Sequence, residues 1–343
     1  MQTFRRFRNQ PAPRLTLALL AALLLAVILV SFSLGRYGVP VEQVVRILLA
    51  RVFPLHQTWT PEMQTVVLNI RLPRIAMACL VGCCLSAAGA AYQGVFQNPM
   101  ASPDILGASS GAGMGAALAI LLGGSVGMIR FSAFAAGMLT VSVVTLVAQR
   151  APGLRVVNLI LAGIMVGSLM TAGTSYIKLV ADPTNQLPQI TYWLMGSLSG
   201  SKGADVASVA LPMAAGLIPL YLFRWRINIL TLGDEEARAL GVNTNLLRFA
   251  TIVCSTLGTA ASVSVSGMIG WVGLVIPHLC RKLVGNNYRY LMPASFLVGA
   301  TFLLLVDDVS RNLLAVEIPI GILTAFIGAP FFLYLITRRE KSM

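Results

Sequence analysis

The chain has 343 residues, of which 57% are hydrophobic and only 11% charged, and its formal net charge is +13. A soluble domain of this size would carry about 25% charged residues, so the composition excludes an ordinary water-soluble enzyme and predicts a polytopic membrane protein. The surplus of Lys and Arg reads as a topology signal held in cytoplasmic loops. No aromatic-interleaved basic surface accompanies it, so nucleic acid is not an expected partner.

Arg5, Arg6, Arg8 and Arg14 precede the apolar run Leu15–Phe32. That run is longer than the roughly 7–15 residues of a secretory h-region and is followed by many more. It is read as a retained first helix with its basic flank in the cytoplasm. Crossing a bilayer takes about 20 apolar residues, and the hydropathy predicts ten spans: 15–34, 72–93, 105–123, 129–149, 156–178, 204–223, 247–265, 267–283, 291–311 and 317–337. The eighth is short and broken by Pro277. An even count returns Arg338, Arg339 and Lys341 to the side where the chain began. The connectors on that side carry Arg150 and Arg155, then Arg224, Arg226, Arg238 and Arg248, then Arg281, Lys282 and Arg289, as the positive-inside rule requires. The predicted organisation is a cytoplasmic tail 1–14, one transmembrane domain 15–337 with a cytoplasmic loop 224–248, and a cytoplasmic tail 338–343.

Two outer segments are long enough to fold. Residues 35–71 hold an amphipathic stretch, Val41–Val52, suited to the membrane surface. Residues 179–203 contain Pro183 and Pro188. Trp59 and Trp193 are expected at the outer interface and Trp225 at the inner one. Gly107, Gly111 and Gly115 recur every four residues, as do Gly163 and Gly167, and tight packing within one chain explains them better than a dimer seam. A five-plus-five inverted repeat would suit ten spans, but no repeat is visible. Cys79, Cys83, Cys84, Cys254 and Cys280 form no CxxC pair and lie in apolar runs, so packing is their expected role. The two histidines, His56 and His278, are too few for a conventional metal cage.

Four constellations stand out. Arg71-Leu-Pro-Arg74 is placed at the outer mouth of the second span, with Pro73 in the first helical turn. From Pro73 to Gln93 is about 31 Å of helix, a bilayer's width. Arginines on the outer side either snorkel to headgroups or meet carboxylates of an external partner; Arg311 reaches the same side. The turn Gln93–Gly107 is polar and broken by Pro99 and Pro103 at membrane depth, which fits either an ordinary turn or a pore lining. Within Arg224–Arg248, Leu232-Gly-Asp-Glu-Glu-Ala-Arg-Ala-Leu-Gly241 reads as a short helix capped by Asp234 and stopped by Gly241, with Leu232, Ala237 and Leu240 as apolar contacts. So short a helix needs something to pack on, either the protein's own inner face or a partner. The fourth, Gly267–Arg281, contains His278, read as a structural histidine.

Two decoys fall away. Gly107-Ala-Ser-Ser-Gly111 lacks the strand a nucleophile elbow needs. Gly196-Ser-Leu-Ser-Gly-Ser-Lys202 fails the spacing of a phosphate-binding loop, so an ATP-driven process would need an engine from another subunit. An ion-coupled transporter would want a carboxylate in mid-membrane, whereas Asp307, Asp308 and Glu317 lie near outer ends.

In this order the constellations resemble the FecCD family of ABC permeases, the membrane subunits of importers for ferric siderophores, haem and cobalamin. The resemblance runs from Arg71 to Leu335 and includes the tail Glu317-Ile-Pro-Ile-Gly-Ile-Leu-Thr-Ala-Phe-Ile-Gly-Ala-Pro-Phe-Phe. It implies an all-α (type II) permease of about ten helices that works as a homodimer with the pathway between the copies. Arg71, Arg74 and Arg311 match arginines that meet glutamates of an extracytoplasmic binding protein. Asn98 and Met100 match an inner gate, where the family often has Leu at Met100; Val156 and Val157 match it loosely. Leu232, Gly233, Asp234, Glu235, Arg238, Leu240 and Gly241 match the segment seated on a cytoplasmic ATPase. The expected function is import of an iron–siderophore or related chelate across the bacterial inner membrane by alternating access, with haem or cobalamin as other cargo. The chain itself is expected to bind no cofactor; ATP and Mg belong to two partner ATPases.

Overall fold

The computed structural model describes residues 13–35, 37–54, 56–153 and 155–339. Arg5, Arg6, Arg8 and Lys341, with most of both predicted tails, lie outside the described residues. Among the described residues every regular element is helical: α1 (Pro13–Ser33), α2 (Val41–Leu49), and α3 (Pro61–Thr65), which runs through a π-helical turn (Val66–Arg71) into α4 (Leu72–Val95). A 3₁₀ turn (Pro103–Leu106) precedes α5 (Ala108–Leu121), α6 (Val126–Arg150) and α7 (Arg155–Val180). Then come α8 (Gln186–Met195), α9 (Gly203–Leu230), α10 (Asp234–Ala239), α11 (Thr244–Ser266), α12 (Val272–Val284), α13 (Tyr288–Asn312) and α14 (Ile320–Arg339).

Each predicted span is met by a helix, and among the described residues seven helices are long and apolar enough to cross a membrane. Four boundaries differ from expectation, one of them that of the sixth span, which is expected to end at 223 and runs on to Leu230 as α9. The second span begins at Pro61, not Leu72, and forms a 35-residue rod. Pro73 is therefore interior to a helix, where its ring would clash with the carbonyl of Asn69; the π turn Val66–Arg71 directly before it widens the backbone there. Helix α5 has only 14 residues, about 21 Å of a core of about 30 Å. The buried 3₁₀ residues Pro103 and Leu106 make up the depth. The eighth span narrows to α12, because Gly267 to Trp271 stay non-helical and Trp271 holds a φ of 71°. Outside the spans, α8 is a helix that the loop 179–203 did not announce. Trp59, expected at the outer interface, is packed within the chain, its Nε1 donating to Gln64 Oε1 at 3.0 Å.

The rod α3–α4 is the axis of the bundle: 78% of its apolar window is buried, against 17% for α1 and α7. It packs against α9, α11, α12 and α13. Small residues make this possible, because helices in lipid associate by close approach rather than by a hydrophobic drive. A Cβ on Gly89 would stand 1.8 Å from the carbonyl oxygen of Gly273, and one on Gly82 2.2 Å from that of Gly299. The Gly107-Gly111-Gly115 series packs within the chain as expected, Gly111 against Thr140 and Gly115 against Ser132, both on α6.

Candidate functional sites at the two ends of the bundle

At the end expected to face outward, the structure brings Arg71, Arg74 and Arg311 together, and gives each internal partners. Arg74 is 9% exposed. Its Nε and Nη2 donate to Asp307 at 2.9–3.0 Å, and Nη1 and Nη2 donate to Glu317 at 2.9 Å. Arg71 is buried and donates to the carbonyls of Phe32 and Tyr37, closing the end of α1 and the following turn onto the rod. Arg311 pairs with Asp308 and donates from Nη2 to the carbonyl of Ser31 at 2.8 Å and from Nη1 to that of Leu34 at 3.1 Å. Three cations thus face three carboxylates, Asp307, Asp308 and Glu317. Of the two carboxylates on Arg74, Asp307 is sealed, while the Glu317 side chain is 33% exposed. Snorkelling is not what these arginines do, since their heads are enclosed by α1, α4 and α13.

At the opposite end, expected to face inward, the turn after α4 is fixed by hydrogen bonds. The Asn98 N–H donates to the carbonyl of Gln93 at 3.2 Å, Asn98 Oδ1 accepts from the N–H of Met100 at 2.9 Å, and Gln97, at φ 49°, donates to the carbonyl of Leu230 at 2.8 Å. Met100 is 47% exposed and projects from this frame. Val156 and Val157 open instead onto a cavity of ≈400 Å³ lined also by Asp234, Arg238 and Arg248. Within one chain that cavity's lining does not include Asn98 or Met100.

The short helix α10 forms where expected, with one shift: Gly233, at φ 132°, is the N-cap and Asp234 the first helical residue. Its end is the αL stop foreseen at Gly241, where φ is 80°. The N–H of Gly241 bonds the carbonyl of Arg238 and that of Val242 the carbonyl of Ala237, a Schellman pattern. Ala237 is fully buried, packed in a cluster with Leu230 and Leu247. Leu232 and Leu240, read as apolar contacts for either the inner face or a partner, do not pack on this chain's own inner face: they are 63% and 62% exposed. What sequence reasoning missed is the tie beneath: buried Arg248 on α11 holds Asp234 through Nη2 at 2.8 Å and Nη1 at 3.2 Å, and its Nε reaches the carbonyl of Val95 at 3.4 Å. The short helix, α11 and the end of α4 therefore share one guanidinium.

A second missed feature lies on α7. Ser168, Thr171 and Ser175 form an exposed stripe at helical spacing on a helix otherwise apolar outside. Each hydroxyl donates back to its own helix, Ser168 to Ile164, Thr171 to Gly167 and Ser175 to Thr171, at 2.8–3.0 Å. From Val157 to Ile177 the helix has no Asp, Glu, Lys, Arg or His. A period-of-seven reading of that segment could have found the stripe.

An all-helical bundle with a central rod and, among the described residues, seven helices long and apolar enough to cross a membrane defines a polytopic membrane protein. A model of the FecCD transport family matches residues 23–338. The molybdate import system permease protein MolB of Haemophilus influenzae is 40% identical over 323 residues, covering 94% of this chain and 95% of that one. The hemin transport system permease protein HmuU of Yersinia pestis is 36% identical over 341 residues, covering 96% and 97%. A solved chain described as a metal-chelate type ABC transporter in an inward-facing conformation is 38% identical, superposes with a TM-score of 0.84, and is matched over 98% of its length and 94% of this chain. The chain belongs to the FecCD transport family and is a permease subunit of an ABC importer.

Proposed function

We propose that two copies of this chain form the pathway through which an iron–siderophore complex, or a related metal chelate, passes from an external binding protein to the cytoplasm. The observation that carries this reading is the exposed hydroxyl stripe on α7. Ser168, Thr171 and Ser175 would face lipid in a lone chain, whereas polar faces within membranes line bundle interiors and watery cavities. A second copy turns the stripe inward. A wall with no charged side chain between Val157 and Ile177 suits a bulky cargo that must slide rather than bind tightly.

Energy enters at the opposite end. The exposed Leu232 and Leu240, beside Glu235 and Glu236, form a small mixed patch on the cytoplasmic face. Two partner ATPases seat there, and the Arg248 tie passes their motion to α11 and α4. Met100, from the rigid turn at Asn98, and Val157 meet their symmetry mates to close the inner gate. At the outer face a carboxylate of the binding protein competes with Glu317 for the accessible side of Arg74; Arg71 and Arg311 hold that side in place. Alternating access follows from ATP-driven closure of the ATPases.

Relatives named for molybdate, iron(III) citrate and hemin match 94–96% of this chain, and one named for cobalamin matches 81% of it. This supports a pathway that accepts what the binding protein delivers. The test is reconstitution with the cognate ATPase and binding protein in liposomes. Ferric-siderophore uptake that needs ATP and persists with an uncoupler is expected. Uptake driven by an ion gradient without the ATPase would overturn the reading, and preference for haem, cobalamin or molybdate would replace only the cargo.

A further inference from the structure

Three cavities run end to end toward the cytoplasmic side, the first two along the seam between α6 and α11 and the third where α11 meets α10 and the start of α7. The deepest, ≈520 Å³, is walled by apolar side chains such as Met138, Leu146 and Val253. Its two hydroxyl-bearing wall residues on α6 are already satisfied, Ser142 Oγ donating to the carbonyl of Met138 at 2.8 Å and Thr145 Oγ1 to that of Val141 at 2.7 Å. A neck of ≈40 Å³ follows, sharing Thr145, Gln149 and Phe249 with the first. The neck shares Asn245 and Arg248 with the third cavity, the ≈400 Å³ mouth at α10. Among the described residues, that mouth holds two arginines against one aspartate. Arg248 is engaged with Asp234, while Arg238 donates through Nε to Thr244 Oγ1 at 3.4 Å and forms no ion pair among the described residues.

We infer that this continuous groove is a binding site for an anionic phospholipid of the cytoplasmic leaflet, one acyl chain lying between α6 and α11 and the phosphate against Arg238. The order of surfaces matches that occupant: apolar at membrane depth, then a polar neck, then a net cation at the water boundary. Basic pockets between helices at the cytoplasmic side favour anionic headgroups, and a guanidinium pairs well with phosphate. A soluble anion would use only the mouth and leave the apolar trough unexplained. A zwitterionic lipid would bring its own cation to Arg238. The headgroup would sit between the start of α7 and α10, so the lipid would be a wall of the coupling segment itself. The inference rests on the placement of this end in the cytoplasm, but not on the identity of the cargo.

Native mass spectrometry of the intact chain, purified in mild detergent and exchanged into mixed phosphatidylglycerol and phosphatidylethanolamine, tests it. Phosphatidylglycerol is expected to be retained selectively. Arg238→Gln should lower that retention by roughly tenfold, the worth of one charge-assisted hydrogen bond. Ser142→Trp and Val253→Trp, which fill the trough from exposed positions on two different helices, should each abolish it while the thermal midpoint of the chain holds. Equal retention of both lipids by the unmodified chain would overturn the proposal. So would loss of phosphatidylglycerol to added inorganic phosphate with both Trp variants unaffected, which would mark a free-anion site. ATP-driven uptake is a separate readout, so failure here leaves the importer reading standing.

Discussion

Arg74 on α4 and Asp307 on α13 form a three-bond pair sealed between the two helices at one end of the bundle, with every bond at 2.9–3.0 Å. The Asp307 side chain has no exposed surface. Removing one partner of such a pair leaves a buried charge alone, at a cost of about 3–5 kcal/mol. Arg74→Ala and Asp307→Ala should each lower the thermal midpoint strongly in detergent. Arg74→Glu would set a fourth carboxylate beside Asp307, Asp308 and Glu317, and should fail to accumulate as folded protein. A stable, monodisperse Arg74→Glu variant would show that the pair does not hold the helices.

Docking at this end is therefore better probed at Glu317, whose side chain is one third exposed. If an external carboxylate competes with Glu317 for Arg74, Glu317→Gln should strengthen binding-protein capture several-fold. Surface plasmon resonance of the binding protein on immobilised complex checks this. Unchanged affinity would assign the outer cluster to structure alone.

The rod α4 tolerates no side chain at Gly89, because the obstacle at 1.8 Å is backbone oxygen, which no rotamer change moves. Overpacking typically costs about 1–3 kcal/mol, and a contact this short belongs at or beyond the top of that range. Gly258→Ala on α11 is the control, since its nearest atoms lie 3.7 Å away and Ala is the better helix former by about 1 kcal/mol. Thermal unfolding should show Gly89→Ala far below the parent and Gly258→Ala at or slightly above it.

How much of this was legible beforehand depends on distance along the chain. The seven long apolar helices were readable because a run of about 20 apolar residues has few other uses. The start of the second was not, because Glu62, Gln64, Asn69 and Arg71 make its first turns look polar; packing against the rest of the bundle keeps them helical. The π turn leaves no hydropathy trace at all. Helix α10 was legible, since its acidic first turn and Gly241 are local signals, while the cap shifted by one residue because Gly233 takes a backbone only glycine holds comfortably. The partners of the arginines were illegible: Arg74 and Asp307 stand 233 residues apart, and nothing local distinguishes an arginine that pairs inward from one that faces a partner.

The Arg248–Asp234 tie predicts a separation of energy use from transport. Asp234→Asn keeps the size of the side chain but drops the charge that two guanidinium bonds of 2.8 and 3.2 Å rely on; hydrogen bonds to charged groups are worth about 1.5–3 kcal/mol. The assembled complex should keep most of its ATP hydrolysis while uptake falls by an order of magnitude. Parallel loss of both activities would mean that the tie holds the ATPase on rather than transmitting its motion. Leu232→Ser with Leu240→Ser, at exposed positions, should instead release the ATPase during purification without changing the permease's own melting.

The α7 stripe gives the sharpest test of where cargo travels. Ser168 is exposed, and its hydroxyl donates only to the carbonyl of Ile164 in its own helix, so Ser168→Trp gives up one local hydrogen bond and none to another helix. In a single copy the new indole would project into lipid at little cost. In the proposed pair it would project across a shared seam toward its symmetry mate, where two bulky rings would narrow the path. Uptake should fall at least tenfold while the thermal midpoint and the cargo-independent ATPase rate stay near parent values. Leu179→Trp, also exposed on α7 but beyond the uncharged stretch that ends at Ile177, should be milder. Full uptake by Ser168→Trp would move the pathway off this face of α7 and take with it the argument for a second copy.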